Sequence, residues 1–351
     1  MQTSPSFSFA NISRGDPVAS LARPCPSLQN ELDRAGGRYV VVCFYLAADT
    51  PWAETALNGL GALSARFGPD HAVFQGVGVK PEGEMETRLR AAHPHMVLIR
   101  DLERKAARVF GALPREVVDR RISTPARPSW LVIDPTQHVL ATFPCTAEGG
   151  EVAEIGDLLA GLPPPERFSP IELPPPILIL PNVFEPELCR TLIDTYERNG
   201  GQETGISVNA EVQIDHSRKR RRDCRIDDPA LIEAAHRRLR NRIAPEIKRL
   251  FFMDVTRVDR NIVACYAAED EAHFMMAHRD NNSPTTAYRR FAVSINLTDD
   301  FEGGCVRFPE YNQRDYKAPA GWAVVFPCAI LHQVTKVTAG RRYVFLPFVF
   351  D

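Results

Sequence analysis

The chain has no Cys-x-x-Cys pair: its eight cysteines stand apart, at 25, 43, 145, 189, 224, 265, 305 and 328. That spacing argues against a disulfide frame or a zinc ribbon and reads as reduced thiols. No apolar run approaches the roughly 20 residues that a membrane-spanning helix needs. The first residues, Met1-Gln2-Thr3-Ser4-Pro5-Ser6-Phe7, show no basic segment followed by an apolar core, so no signal peptide is expected. Reduced thiols and the missing signal together give a cytoplasmic expectation. There is no excess of either charge: 42 basic against 44 acidic residues leave a net charge of -2, so no global field selects for nucleic acid or membrane. No internal repeat is visible.

What is present is room for two domains in 351 residues and a clear place to divide them. Prolines cluster at Pro163-Pro164-Pro165, Pro170 and Pro174-Pro175-Pro176, a composition that favours extended, semi-rigid chain. The expected organisation is a first domain over 1–162, a linker over 163–176 and a second domain over 177–351. The first domain alternates strand and helix signals. Arg38 to Tyr45, Val73 to Val79 and Pro128 to Asp134 read as buried strands. Thr50-Pro51-Trp52 opens a helical pattern through Leu57, Leu60 and Leu63, with Pro51 well placed near a helix start. The second domain begins with helical stretches near 186–193 and 229–250. Short strands follow, at 261–266, 290–297, 305–308, 322–327 and 342–348, with polar turns between them such as 267–271. That rhythm points to an all-β sandwich or barrel.

Within those strands lie His278-Arg279-Asp280 and, much later, His332 and Arg342. On a strand, positions i and i+2 share a face, so His278 and Asp280 can point together, and His332 can supply a third ligand from a neighbouring strand. Two histidines and one carboxylate on one side of a metal form the facial triad of non-heme Fe(II) oxygenases. A lone His-x-Asp is usually a solvated turn; the surrounding strands are what raise it above that. His273 lies an odd number of residues before His278, so a continuous strand would turn it away. Arg341 should face the opposite way from Arg342 and make a surface ion pair.

Taken together, Ala264-Cys265-Tyr266, His278-Arg279-Asp280-Asn281, Glu302-Gly303-Gly304, Phe326 ahead of His332, and Gly340-Arg341-Arg342-Tyr343 resemble the prolyl-4-hydroxylase-like branch of the Fe(II)/2-oxoglutarate dioxygenases. The resemblance implies a double-stranded β-helix, or jelly roll, with flanking helices. It implies that His278, Asp280 and His332 bind Fe(II), and that Arg342, ten positions after His332, clamps 2-oxoglutarate. Tyr266 matches a tyrosine that commonly reaches the co-substrate; a core aromatic is the equal alternative. O2 is the oxidant, ascorbate a candidate reductant, and a peptide, protein or small molecule the substrate. The related halogenases carry a small residue where Asp280 stands, so the carboxylate favours hydroxylation.

The first domain is similar to the peroxiredoxins, of thioredoxin fold, on Phe44-Tyr45, Thr50-Pro51 and Arg127 through Asp134. The nucleophilic cysteine of that family lies three residues after the threonine, where this chain has Ala53, and the family's preceding proline is replaced by Leu46. A thiolate is the nucleophile in that chemistry, so the domain is expected to be non-catalytic, with Arg127 retained but serving nothing. Cys43 sits mid-strand in an apolar run and is expected to be inert. Docking of substrate, homodimerisation or support of the oxygenase remain as uses. A thiol-dependent redox protein and a wholly non-catalytic scaffold are the competing classes. Finally, Ser217 to Arg225 is a dense basic run. It is expected to be solvated or to lie on the co-substrate side; without aromatic interleaving it does not point to nucleic acid.

Overall fold

The structure, a computed structural model, describes residues 7–116, 125–208, 211–269 and 272–351. The first six residues, and Asp270 and Glu271 of the expected polar turn, lie outside the described residues. The chain forms two compact units, Met1–Leu173 and Pro174–Asp351.

In the first unit, strands β1 (Tyr39–Leu46), β2 (Ala72–Gly78), β3 (Met96–Arg100), β4 (Ser129–Ile133) and β5 (Val139–Pro144) form one sheet in the order β3-β2-β1-β4-β5. β1 runs parallel to β2 and antiparallel to β4. Every residue of β1 is buried because both faces of the sheet are covered. Val40, Val42 and Phe44 pack with Leu28 and Leu32 of helix Pro26–Arg34. Val41, Cys43 and Tyr45 pack on the other side with Leu57 and Leu60 of helix Pro51–His71 and with Ile155 and Leu159 of helix Gly150–Gly161. Pro51 occupies the first turn of its helix, as the sequence predicts, and the helix breaks at Gly68, φ 66°, just before Pro69. This is the thioredoxin-like arrangement of helices on both faces of a mixed sheet. The proline-rich stretch is not all free chain: the Tyr39 hydroxyl donates to the Pro163 carbonyl at 3.0 Å, and the Tyr39 ring packs edge-on to Phe168.

The second unit is built on two antiparallel sheets. The larger runs in the order Arg257–Asp259, Phe348–Phe350, Phe291–Asn296, Arg341–Phe345, Ile262–Ala267, Arg222–Arg225, Gln202–Glu203, with Ala323–Pro327 and then Leu178–Leu180 added beside Phe291–Asn296. The smaller runs Lys219–Arg220, Phe274–His278, His332–Val334, Val306–Arg307. Period-two alternation decides what each face does. Outward residues of the larger sheet, among them Val263, Val293, Ile295 and Phe345, pack with Leu192, Leu231 and Ile247 of the helices. Inward residues Ile262, Ala264, Tyr266 and Val344 share an apolar cluster with Met275 and Val334 of the smaller sheet. Ala292, Phe326 and Phe348 do the same with Val306. The result is a jelly-roll type of sandwich with helices on one outer face. The helix expected over 229–250 is interrupted: α-helix Pro229–Arg238 passes through a π turn, Leu239–Ile243, into helix Ala244–Phe251. Pro245 has no N–H to offer the carbonyl four residues back, and a π turn absorbs that lost bond.

Candidate metal centre and its surroundings

His278 ends its strand and pairs in register with His332, which begins the adjacent one. Asp280 lies two residues further on, in a turn, with its N–H donating to the Cys328 carbonyl at 3.0 Å. The convergence of His278 and Asp280 therefore comes from a strand running into a turn, which corrects the expectation that both sit on one strand. One ligand atom from each of His278, Asp280 and His332 lies within 4.8 Å of the other two. His278 Nε2 is 3.4 Å from Asp280 Oδ1, and His332 Nε2 is 3.3 Å from Oδ2.

The imidazoles are held in one orientation by the backbone. His278 Nδ1 meets the Met276 carbonyl at 2.9 Å and His332 Nδ1 meets the Ile330 carbonyl at 3.2 Å. A carbonyl can only accept, so each Nδ1 donates a proton to the backbone, and each Nε2 is the ring nitrogen turned toward the carboxylate. The Phe326 ring, 4.6 Å from the His332 ring, fixes its plane further. Burial, then His332 beside it, lowers the pKa of His278, favouring the neutral ligand form. Burial alone would raise the Asp280 carboxyl; His332 and His278 outweigh it and hold the group well below the usual carboxylate range. Two imidazoles and one carboxylate, facing one point from one side, fit a divalent iron.

Arg279, between His278 and Asp280, turns the other way. Its guanidinium reaches Glu310, with Nη1 to Oε2 at 3.1 Å, and also bonds the Ala329 carbonyl. Glu310 in turn accepts from the N–H of Leu331, the neighbour of His332, at 2.9 Å. This buried pair ties the His278–Asp280 segment to the segment that carries His332. Sequence reading passed over Glu310, because nothing local marks a carboxylate 31 residues away as the partner.

Arg342 is 2% exposed and turns into the sandwich. Its Nε donates to Asn296 Oδ1 and its Nη2 to Ser294 Oγ, both at 2.9 Å, and its guanidinium lies 5.5 Å from the centre of the Tyr266 ring. No carboxylate pairs with it among the described residues, and burial pushes its pKa down. A buried cation held only by neutral acceptors is costly unless an anion joins it. Gly304, φ 59°, lets the chain pass close: a Cβ there would stand 3.2 Å from Arg342 Cδ. Arg341 faces out and pairs with Glu269 at 2.6 Å. Tyr266 is buried between two cations, its hydroxyl accepting from Arg221 Nη1 at 3.1 Å and leaving its own proton free to donate. His273 is outside the ligand cluster, with Nδ1 at 3.4 Å from the Cys265 carbonyl. Strand alternation is not the clean reason, since the register shifts between Met275 and His278.

The basic run divides by position. Arg222 and Arg225 are exposed, but Lys219, Arg221 and Asp223 are buried. Arg222 pairs with Cys265, on the outward face, and Asp223 with Ala264, on the inward face. The run is thus solvated on one side and internal on the other.

In the first unit, Ala53 is completely buried and its N–H donates to the Thr50 carbonyl at 3.0 Å. The Thr50 hydroxyl is spent on the Ala47 carbonyl at 2.8 Å. Arg127 lies over the Phe9 ring, 3.9 Å from its centre. Cys43 is fully buried, and burial holds its thiol well above the ordinary value.

Comparison with known proteins follows the same division. The AhpC/TSA family matches residues 26–142. Procollagen-lysine,2-oxoglutarate 5-dioxygenase 1 of Mus musculus is 27% identical over 186 residues, covering 51% of this chain and 24% of that protein. A PKHD-type hydroxylase of Paracoccus denitrificans is 48% identical over 52 residues, 14% of this chain and 23% of that protein. A solved prolyl-4-hydroxylase from Pseudomonas putida aligns over 50% of this chain and 92% of its own, with 16% identity and a TM-score of 0.40. The chain spans about a quarter of the length of the curated relatives it matches. It joins an amino-terminal domain of AhpC/TSA type to a carboxy-terminal domain related to the 2-oxoglutarate, Fe(II) hydroxylases.

Proposed function

We propose that residues 177–351 form a hydroxylase dependent on Fe(II), 2-oxoglutarate and O2, with ascorbate as a supporting reductant. The reading is carried by one juxtaposition: a His-Asp-His cluster and a buried arginine without a carboxylate partner occur in the same jelly-roll unit. His278, Asp280 and His332 would hold the iron. Iron with its co-acid and O2 supplies the oxidising power for hydroxylating a C–H bond, with release of succinate and CO2. The chain's own residues bind and orient. Arg342 offers a planar guanidinium to the distal carboxylate of 2-oxoglutarate, pre-set by Ser294 and Asn296. The Tyr266 hydroxyl can donate to the same group. Aromatic and aliphatic residues of the two inward faces exclude water. A peptidyl residue or a small molecule is the substrate, and the lysyl hydroxylase relatives support the peptidyl form.

The test separates the two halves of the site. His332→Ala should remove most Fe(II) binding, measured by titration of the metal-free chain. Arg342→Ala should leave iron binding intact and weaken 2-oxoglutarate by about 2–5 kcal/mol, the usual cost of losing one partner of a buried charge pair. Unchanged co-substrate affinity in that variant would place the clamp elsewhere.

A further inference from the structure

Near the proposed iron site, two arginines share one carboxylate and a lysine reaches it through a threonine hydroxyl. Asp223 accepts from Arg221 Nη2 at 2.7 Å, while Arg221 Nε stands 2.6 Å from its other oxygen without the alignment of a hydrogen bond. Arg260 reaches the same carboxylate at 3.3 Å. Lys219, 6% exposed, has no carboxylate of its own among the described residues: its ammonium donates to Thr204 Oγ1 at 2.6 Å and to the Gly205 carbonyl at 3.0 Å, and Thr204 passes on to Asp223 at 2.8 Å. Lys219, Arg221 and Asp223 of the cluster are buried, and Arg260 is partly exposed. Arg221 bonds Tyr266, whose ring is shared with Arg342, and Arg260 lies within the electrostatic reach of Asp280.

Charge accounting leaves this group unmatched. On the hydroxylase reading, Fe(II) with Asp280 and 2-oxoglutarate with Arg342 neutralise one another. Arg289, which lies over the Phe348 ring with Arg260, is matched by Asp259 at 2.8 Å. Lys219 and Arg260 remain in surplus: Lys219 is buried, where charges are normally paired, while Arg260 keeps 26% of its side chain exposed and so can meet a group arriving from outside. Burial and the neighbouring Arg221 push Lys219 down to about 7, the response of a cation that lacks a counter-ion. A second observation is independent of charge. Arg260 holds a left-handed backbone, φ 71°, which a non-glycine residue adopts at a cost and which tends to be kept where a side chain must be aimed.

We propose that the substrate presents a carboxylate to Arg260 and Lys219, so that this is a hydroxylase of acidic substrates. This rests on the hydroxylase reading, and it fixes a chemical class that the metal site alone does not. A small acid and an acidic peptide share the chemistry, and the test distinguishes them.

The full chain, iron-loaded under anaerobic conditions and saturated with 2-oxoglutarate so that Arg342 is occupied, is titrated calorimetrically with two matched pairs. One is N-acetylglycine with N-acetylglycinamide. The other is acetyl-Gly-Glu-Gly-amide with acetyl-Gly-Gln-Gly-amide. In at least one pair the acid should bind tenfold or more tighter than its amide, and the pair that shows this names the source. Arg260→Met should abolish the preference, with 2-oxoglutarate affinity within twofold of the unaltered chain, and Arg260→Lys should restore part of it. Equal binding of acid and amide, binding of neither, or a preference that survives Arg260→Met overturns the proposal. So does a parallel loss of 2-oxoglutarate affinity and melting temperature, which would make the cluster structural. Failure of the hydroxylase reading is separate: it shows as no 2-oxoglutarate binding to the iron-loaded chain before any probe is added.

Discussion

Lys219 carries a pH signature that follows from its place. Its pKa is lowered to about 7 in the fold by burial and by Arg221, against the ordinary lysine value near 10.5 in the unfolded chain. Between those values the unfolded state binds more protons than the folded one, so stability rises with pH from about 7 toward 10.5. Below about 7 both states carry the proton and this dependence is flat. Lys219→Met removes the term. Urea unfolding should show the variant gaining most over the parent at pH 6–7, with the gain shrinking toward pH 10. A difference independent of pH would mean that Lys219 is solvated. The same residue shows where sequence reading stops. In Ser217 to Arg225 the charges look equivalent, yet strand alternation sends Asp223 inward and Arg222 outward. The run gives the charges; only the pairing partner gives the face. Arg341 and Arg342 were separable without structure because adjacent strand positions face opposite ways, and the resemblance implied that the clamp stands ten residues after His332.

At the level of elements, the candidate site is a join between strand Phe274–His278 and strand His332–Val334, and the Arg279–Glu310 pair is its brace. Glu310→Gln keeps an acceptor for the Leu331 N–H but leaves the Arg279 guanidinium buried without its charge partner. Breaking such a pair from one side costs about 3–5 kcal/mol. Outer partners that orient metal ligands are typically worth 10–100-fold in affinity. Fe(II) titration of Glu310→Gln should therefore show a drop of that size, with 2-oxoglutarate affinity following only through the metal; unchanged iron affinity would reduce the pair to a packing role. The candidate ligands themselves were legible because histidine and aspartate at those spacings have a chemical reason to recur. The brace was not, since an Arg–Glu pair across 31 positions looks like any other two charges until the loop at 328–331 brings them together. The π turn at Leu239–Ile243 was equally hidden, although Pro245 in a helical run is its physical cause in hindsight.

Taken as a whole molecule, the chain pairs a unit that carries a His-Asp-His donor set with an AhpC/TSA-type unit that has Ala53 where the resemblance places a nucleophilic cysteine. A thiol-dependent redox protein needs an accessible thiolate in a cationic pocket. Here Ala53 supplies no thiol and Cys43 is buried with its pKa raised by burial. The full chain should consume no peroxide with a thiol reductant, and Cys43→Ser should not alter that. Ala53→Cys is the sharper variant. Position 53 has no solvent exposure, the Thr50 hydroxyl is engaged with Ala47, and Arg127 is stacked on Phe9. With neither access nor a free cation to stabilise a thiolate, the introduced cysteine should stay slow toward both peroxide and an alkylating reagent. Fast, selective alkylation at position 53 would show that the pocket is intact and that only the nucleophile was lost. Peroxide consumption by the unaltered chain would move the protein to a coupled redox oxygenase with two working sites.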